Sequence, residues 1–233
     1  MLATTRHIAM KKIETLLRYC SENYIKLQTA KCSFMCVNSN NDGDEKPFKI
    51  QNLNLDVTMK EPYLGSVITN SIKIADDVRA DITYRQCSIV KFFSFLRCNQ
   101  NAPMFVKKKA LEACTITSLL YNAETWADAR FEYLEVTYRR MLKSILGVGM
   151  TTCNEFVYIE LGMLSIKTRV MMMQYKFWKN ITEISDDNPL TYVINEAKKY
   201  KLKEIRHYEK LVQSFASVEE IISKFYENLR NSI

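Results

Sequence analysis

The stretch Ile74-Ala75-Asp76-Asp77-Val78-Arg79-Ala80-Asp81-Ile82-Thr83-Tyr84-Arg85, carried on by Ile89, Phe93 and Leu96, decides the fold class. Ile74, Val78, Ile82, Ile89, Phe93 and Leu96 fall on one stripe at helical spacing, the pattern of a helix with one buried face. Asp81 and Arg85 stand four residues apart and read as an ion pair on or near the polar edge of that stripe. Asp76 and Asp77 sit at its beginning, where carboxylates complement the positive end of the helix dipole.

Working downstream, no glycine occurs between Asn70 and Gly147 and the only proline in that interval is Pro103. Pro103 suits a first helical turn, and the pattern predicts a helix from there to about Tyr121. A further helix is expected from Phe131 to Leu146, ending at Gly147 and Gly149, and another from Ile166 to Ile184, ending before Asp186-Asp187-Asn188-Pro189. Two or three shorter helices follow.

Upstream, Ile8, Ile13, Leu16 and Leu17 predict an amphipathic helix over Thr5 to Cys20, which Thr4 or Thr5 can cap. Cys32 to Val37 is short and apolar, Asn38 to Asp44 is a polar run containing Gly43, and Pro47 to Ile50 and Asp56 to Met59 read as strand fragments. The expected fold is α+β and predominantly α-helical, with a small β-hairpin element followed by a helical bundle. The expected division is residues 1–70, residues 71–185, and a helical tail over 186–233.

A chain of 233 residues can bury a core without disulfides or metals, and 47% hydrophobic with 25% charged residues excludes a disordered or fibrous chain. The net charge of +7 favours an acidic partner. Seven cysteines, mostly inside apolar helical patterns, suit buried thiols in a reducing compartment, so an intracellular protein is expected. The two histidines, His7 and His207, lie far from the Cys32 and Cys36 pair, which argues against a zinc site. No window reaches the roughly 18 apolar residues of a membrane span. No glycine-rich phosphate loop, Ser-His-Asp set or H-E-x-x-H motif is present.

Four short segments occur in a fixed order: Leu27-Gln28-Thr29-Ala30-Lys31-Cys32, Tyr63-Leu64-Gly65-Ser66, Leu119-Leu120-Tyr121-Asn122-Ala123-Glu124-Thr125-Trp126, and Glu160-Leu161-Gly162. Each alone is weak, but the ordered set resembles the downstream half of the reverse transcriptases of non-LTR, LINE-like retrotransposons, over about residues 2–185. In that family a Tyr-Ala-Asp-Asp box is followed closely by a Leu-Ala segment and a helix. The chain opens on such a segment at Leu2-Ala3-Thr4-Thr5, so the expectation is a late palm and thumb without the catalytic aspartates. Residues 1–70 would then be a palm remnant, and 71–185 the thumb and connection.

The resemblance implies Mg²⁺ for the intact family enzyme, where palm aspartates hold two divalent ions that clamp the attacking hydroxyl and the leaving pyrophosphate. This chain is expected to bind no cofactor and to be inactive alone. Ala75-Asp76-Asp77 has the look of the box but follows Tyr63-Leu64-Gly65, the reverse of the family's order, and reads as a helix start. Lys31 matches a lysine that in the family lies near the incoming nucleotide or acts as general acid; for this chain a solvated surface lysine is the plainer reading. Gln28 departs from the family's usual Asn.

Tyr63, Leu64 and Gly65 resemble the primer-grip hairpin, with an ordinary turn glycine as the alternative. Asn122 replaces a family glycine, yet Asn tolerates the left-handed conformation that such a turn needs. Tyr121 and Trp126 are expected to be helix-packing anchors, each with one polar handle. The run Met171-Met172-Met173 before Tyr175, Phe177 and Trp178 is expected to pack in a core.

The basic residues that a thumb would turn to phosphates are Lys107, Lys108, Lys109, Arg139 and Arg140, with Lys73, Arg79 and Arg85 on a neighbouring helix. Lys167, Arg169, Lys176 and Lys179 lie further on, and Lys198 to Arg206 is another basic run, interrupted by Glu204. Solvated helix faces are the alternative for each of them. The expected partners are an RNA or DNA primer-template, bound weakly, and an upstream palm and fingers segment, with no membrane. The rival expectation is a relic or domesticated helical module that binds another protein through apolar surface and has no nucleic acid role.

Overall fold

The computed structural model describes residues 2–28, 31–37, 47–50, 53–71, 73–127, 129–130, 132–185 and 188–215. The chain is mostly helical with two small antiparallel strand pairs, an α+β fold of predominantly helical content. It divides into two compact units, Met1–Lys73 and Ile74–Ile233. None of the described helices is long and apolar enough to cross a membrane.

The first unit begins with α1, Arg6–Glu22, whose N-cap Thr5 accepts a hydrogen bond from the Ile8 N–H, satisfying one of the free amides of the first turn. Ala9 and Ile13 on its buried face pack with Ile50 and Leu55 into a small core, joined by Leu17, Leu27, Cys32 and Phe34. Ile50 and Leu55 come from β1, Phe48–Ile50, and β2, Leu53–Leu55, which pair antiparallel. The segment Asp56 to Met59 is not a strand: Val57 makes an isolated parallel bridge to Phe34, and the next strand starts at Lys60. That strand, β3 (Lys60–Tyr63), pairs with β4 (Ser66–Thr69) in a register that places Tyr63 opposite Ser66. The polar run Asn38 to Asp44 lies outside the described residues, as do Thr29 and Ala30.

The second unit starts with α2, Ile74–Tyr84, which carries Asp76 and Asp77 in its first turn. The stripe expected to run unbroken to Leu96 is split: α2 stops at Tyr84, Arg85 bridges, and α3 runs from Gln86 to Cys98. Next come α4, Met104–Ala110, a π-helical turn over Leu111–Ile116, and the short α5, Thr117–Leu119. The π turn buries Leu111, Thr115 and Ile116, and its wider pitch shows in the Thr117 N–H bonding back to the Glu112 carbonyl. The chain then leaves the helix through Asn122 in the left-handed region at φ 63°, makes a 3₁₀ turn at Ala123–Thr125, and delivers Trp126 to the core.

α6, Glu132–Leu146, buries Leu134, Tyr138, Met141, Leu142 and Ile145 at helical spacing and forms the centre of the core. α7, Asn154–Leu161, was not expected from the sequence, because Phe156 and Ile159 are apolar but exposed and mask the period of buried Val157 and Leu161. α8, Ile166–Thr182, starts at Ser165, which accepts from the Thr168 N–H. α9, Pro189–Lys199, is capped by Asn188, and α10 covers residues 203–215. Tyr208 of α10 stacks on Trp178 of α8 with ring centroids 5.1 Å apart, in a cluster that includes Ala127 and Ile205. The residues after 188 thus share a core with α8.

The cysteines depart from expectation: Cys20 is buried, but Cys87, Cys98, Cys114 and Cys153 are exposed, having fallen off the buried faces of their segments.

Burial and the nearby Glu124 and Glu204 push the Tyr208 phenol up to about 12, and burial pushes Tyr138 up to about 12 as well. A raised phenol favours the folded state only while it stays protonated, so this stability is complete below about pH 10, the unfolded value, and is lost as pH rises towards 12. Urea denaturation at stepped alkaline pH should show that loss, and it should be shallower in Tyr208→Phe.

Candidate nucleic-acid interface

Whether a cation can serve a ligand depends first on whether the fold has already engaged it. Arg85 is engaged. It is only 6% exposed, lies 3.5 Å from the Asp81 carboxylate, donates to the Tyr121 carbonyl at 3.1 Å, and sits over the Tyr121 ring. The reading of Arg85 as a phosphate contact, and of its pair with Asp81 as a polar-edge feature, gives way to a buried pair that holds up a turn. An i, i+4 acid–base pair looks the same in sequence whether it faces water or a neighbouring backbone. Tyr121 correspondingly lies half in solvent beneath the guanidinium, whereas Trp126 is the buried anchor of that segment.

Arg79 is exposed on α2, and Lys73 precedes that helix, its N–H bonded to the Ser71 hydroxyl. Lys31 is exposed and its N–H bonds to the Gln28 carbonyl. Tyr63 and Leu64 are both exposed at the tip of the β3–β4 hairpin. There Leu64 at φ 49° and Gly65 at φ 84° form a two-residue turn of the kind that matches strand twist. Leucine in the left-handed region costs about 1 kcal/mol, while glycine adopts it freely.

On α4, Lys107 donates to the Gln100 carbonyl at 2.7 Å and Lys109 is exposed. Lys108 donates to the Leu161 carbonyl at 2.6 Å, at the C-terminal end of α7, where Gly162 turns left-handed at φ 57°. A cation at that negative helix end satisfies an otherwise free carbonyl. Arg169 of α8 pairs with Glu112 at 3.3 Å and lies beside the buried Tyr138 phenol.

α6 is different. Val136, Arg139, Arg140 and Lys143 stand at i, i+3, i+4 and i+7, one helical face, and with Met150 they line a cavity of about 330 Å³. Lys143, which the sequence reading did not single out, is 6% exposed and donates to the Met150 carbonyl at 2.7 Å. Its position one turn beyond Arg139 and Arg140 was the available signal. Among the described residues none of these three cations forms an ion pair. Two acids share their surroundings: Glu135, one turn before Arg139 on α6, accepts from the Tyr158 hydroxyl and the Lys167 N–H, and the solvent-exposed Glu155 accepts from the Cys153 thiol at 2.8 Å. That thiol, the local backbone, and then Arg139 and Lys143 hold its carboxyl below the ordinary value.

A second cleft of about 600 Å³ is walled by the π turn, the Leu120–Glu124 turn and α8, and the Glu112–Arg169 pair lies at its edge.

The described carboxylates do not compose a two-metal clamp. Asp76 and Asp77 occupy the first turn of a helix and Asp81 is committed to Arg85, so the residues present do not fit the Mg²⁺ pair implied for the intact family enzyme. Among the described residues no group of three His, Cys, Asp or Glu side chains could hold a metal ion.

Comparison with protein-family models, with curated proteins and with solved structures found nothing that matches this chain.

The contrast between engaged and unengaged cations is measurable. Arg85→Ala should lower unfolding stability by about 3 kcal/mol or more, since it strands the Asp81 charge and the Tyr121 carbonyl. Arg140→Ala, at an exposed site, should change it by no more than about 0.5 kcal/mol in the same denaturation assay.

Proposed function

We propose that this chain is a late-palm and thumb segment of a reverse transcriptase of the LINE-like kind, without catalytic carboxylates, whose helical unit grips the phosphate backbone of an RNA or DNA primer-template. The observation that carries the reading is the stripe of Arg139, Arg140 and Lys143 on α6, cations that form no ion pair among the described residues. A helix face of this kind suits a duplex or strand backbone read by charge and not by base sequence. Lys109 and Arg79, both exposed, extend the supply of cations. The excess of basic residues, giving +7 overall, adds long-range attraction.

The exposed Tyr63 and Leu64 at the hairpin tip support a second contact, in which an aromatic ring lies against a strand. Polymerisation itself is not assigned to this chain, and Lys31 stays a solvated lysine in this reading. An intracellular setting follows from the partner.

Binding of a labelled RNA–DNA primer-template, followed across a salt titration, tests the proposal. The affinity should fall steeply with salt, and Arg139→Ala/Arg140→Ala should lower the slope by about 2, close to one released counterion per arginine. Binding that ignores salt and both substitutions would point instead to a protein-interaction module.

A further inference from the structure

The α6 cations do more than line a face: with Met150 they border a half-open pocket, and the pocket has the wrong charge balance for water alone. Lys143 is nine-tenths buried, yet its only hydrogen-bond partner among the described residues is a neutral carbonyl, that of Met150. A buried ammonium held by a carbonyl and not by a contacting carboxylate is costly, and the cost falls when an anion enters. Arg139 and Arg140 border the same cavity, and a guanidinium presents a planar fork of donors that matches phosphoryl oxygens two at a time. Against these three positive charges stand the exposed Glu155, which accepts from Cys153, and Glu135, one turn before Arg139 and taken up by the Tyr158 hydroxyl and the Lys167 N–H, so about one positive charge is left over.

Size and shape then choose among anions. An internal phosphodiester carries a single charge and two ester arms, which have to run along a surface. A terminal phosphomonoester carries close to two charges and three free oxygens, with a single arm leading out. A concave site of about 330 Å³, with Val136 and Met150 as its apolar edge, fits the second better than the first. We infer that the Arg139–Arg140–Lys143 pocket seats a terminal phosphate, specifically the 5′-phosphate end of a nucleic acid strand. The inference rests on the nucleic acid reading above and names which part of the strand is held.

The test compares two short single-stranded DNAs of one sequence, labelled at the far end and carrying either a 5′ phosphate or a 5′ hydroxyl, by fluorescence anisotropy with the full chain. The phosphorylated strand should bind about tenfold more tightly, the worth of one good charge-assisted contact set. Inorganic phosphate should compete with it and leave the hydroxyl-ended strand bound. Arg139→Ala/Arg140→Ala, checked for folding by circular dichroism, should erase the preference, and Lys143→Arg, which keeps the charge, should retain most of it.

Equal binding of both strands with a steep salt slope would overturn the pocket assignment while leaving the backbone-binding function standing. No binding of either strand would overturn both. A preference that survives the double substitution would place the phosphate elsewhere and overturn the assignment. A phosphoserine peptide that displaces the strand at lower concentration would overturn the nucleic acid end as occupant.

Discussion

The helical unit depends on satisfying one irregular stretch of backbone in its interior. Between Leu120 and Ala127 the chain abandons the helix, and carbonyls released from regular hydrogen bonding have to find donors or suffer desolvation. The donors come from two other helices and from the bend between α2 and α3. Arg85, between α2 and α3, reaches the Tyr121 carbonyl; Tyr208 of α10 reaches that of Glu124 at 2.7 Å; and Gln174 of α8, itself buried, reaches that of Trp126 at 2.9 Å. Gln174 is in turn held by the His207 ring at 3.1 Å. Each bond is worth only about 1 kcal/mol, but an orphaned carbonyl costs more, so the three donors fix the register of their helices against a single turn.

That arrangement also sorts the basic residues. Arg85, Lys108 and Arg169 look in sequence like any other cations of a binding face, and all three are held by carbonyls or carboxylates of the fold. Among the described residues Arg139 and Arg140 form no ion pair, and the buried Lys143 beside them donates to the Met150 carbonyl. A surface argued from counts of Lys and Arg would have given all six the same weight. Geometry concentrates the case for an anionic ligand on one helical face and the loop at Met150.

Much of the helical framework was legible because its signals are local. α6 and α8 keep a clean apolar period, Thr5 caps α1 as expected, Asp76 and Asp77 fall in a first turn, and Asn122 takes the left-handed conformation that an asparagine tolerates. What was not legible depends on tertiary partners. The break at Arg85 follows from that residue turning inward to Tyr121. The π turn at Leu111–Ile116 realigns a helix to bury Thr115 and Ile116, and no residue type announces it. α7 was hidden by apolar residues on both of its faces, and Lys143 gave no sign of burial because its apolar stem and charged head suit either environment.

With donors on three of its carbonyls, the Leu120–Ala127 turn should be as firmly held as the helices around it. Amide hydrogen exchange followed by mass spectrometry, on the wild-type chain and on Gln174→Leu, tests this most directly. Peptides covering the turn should exchange as slowly as those of α6 in the wild-type chain. In the variant they should exchange faster, because the Trp126 carbonyl loses its donor. Rapid exchange of the turn in the wild-type chain, at the rate of an ordinary surface loop, would contradict it.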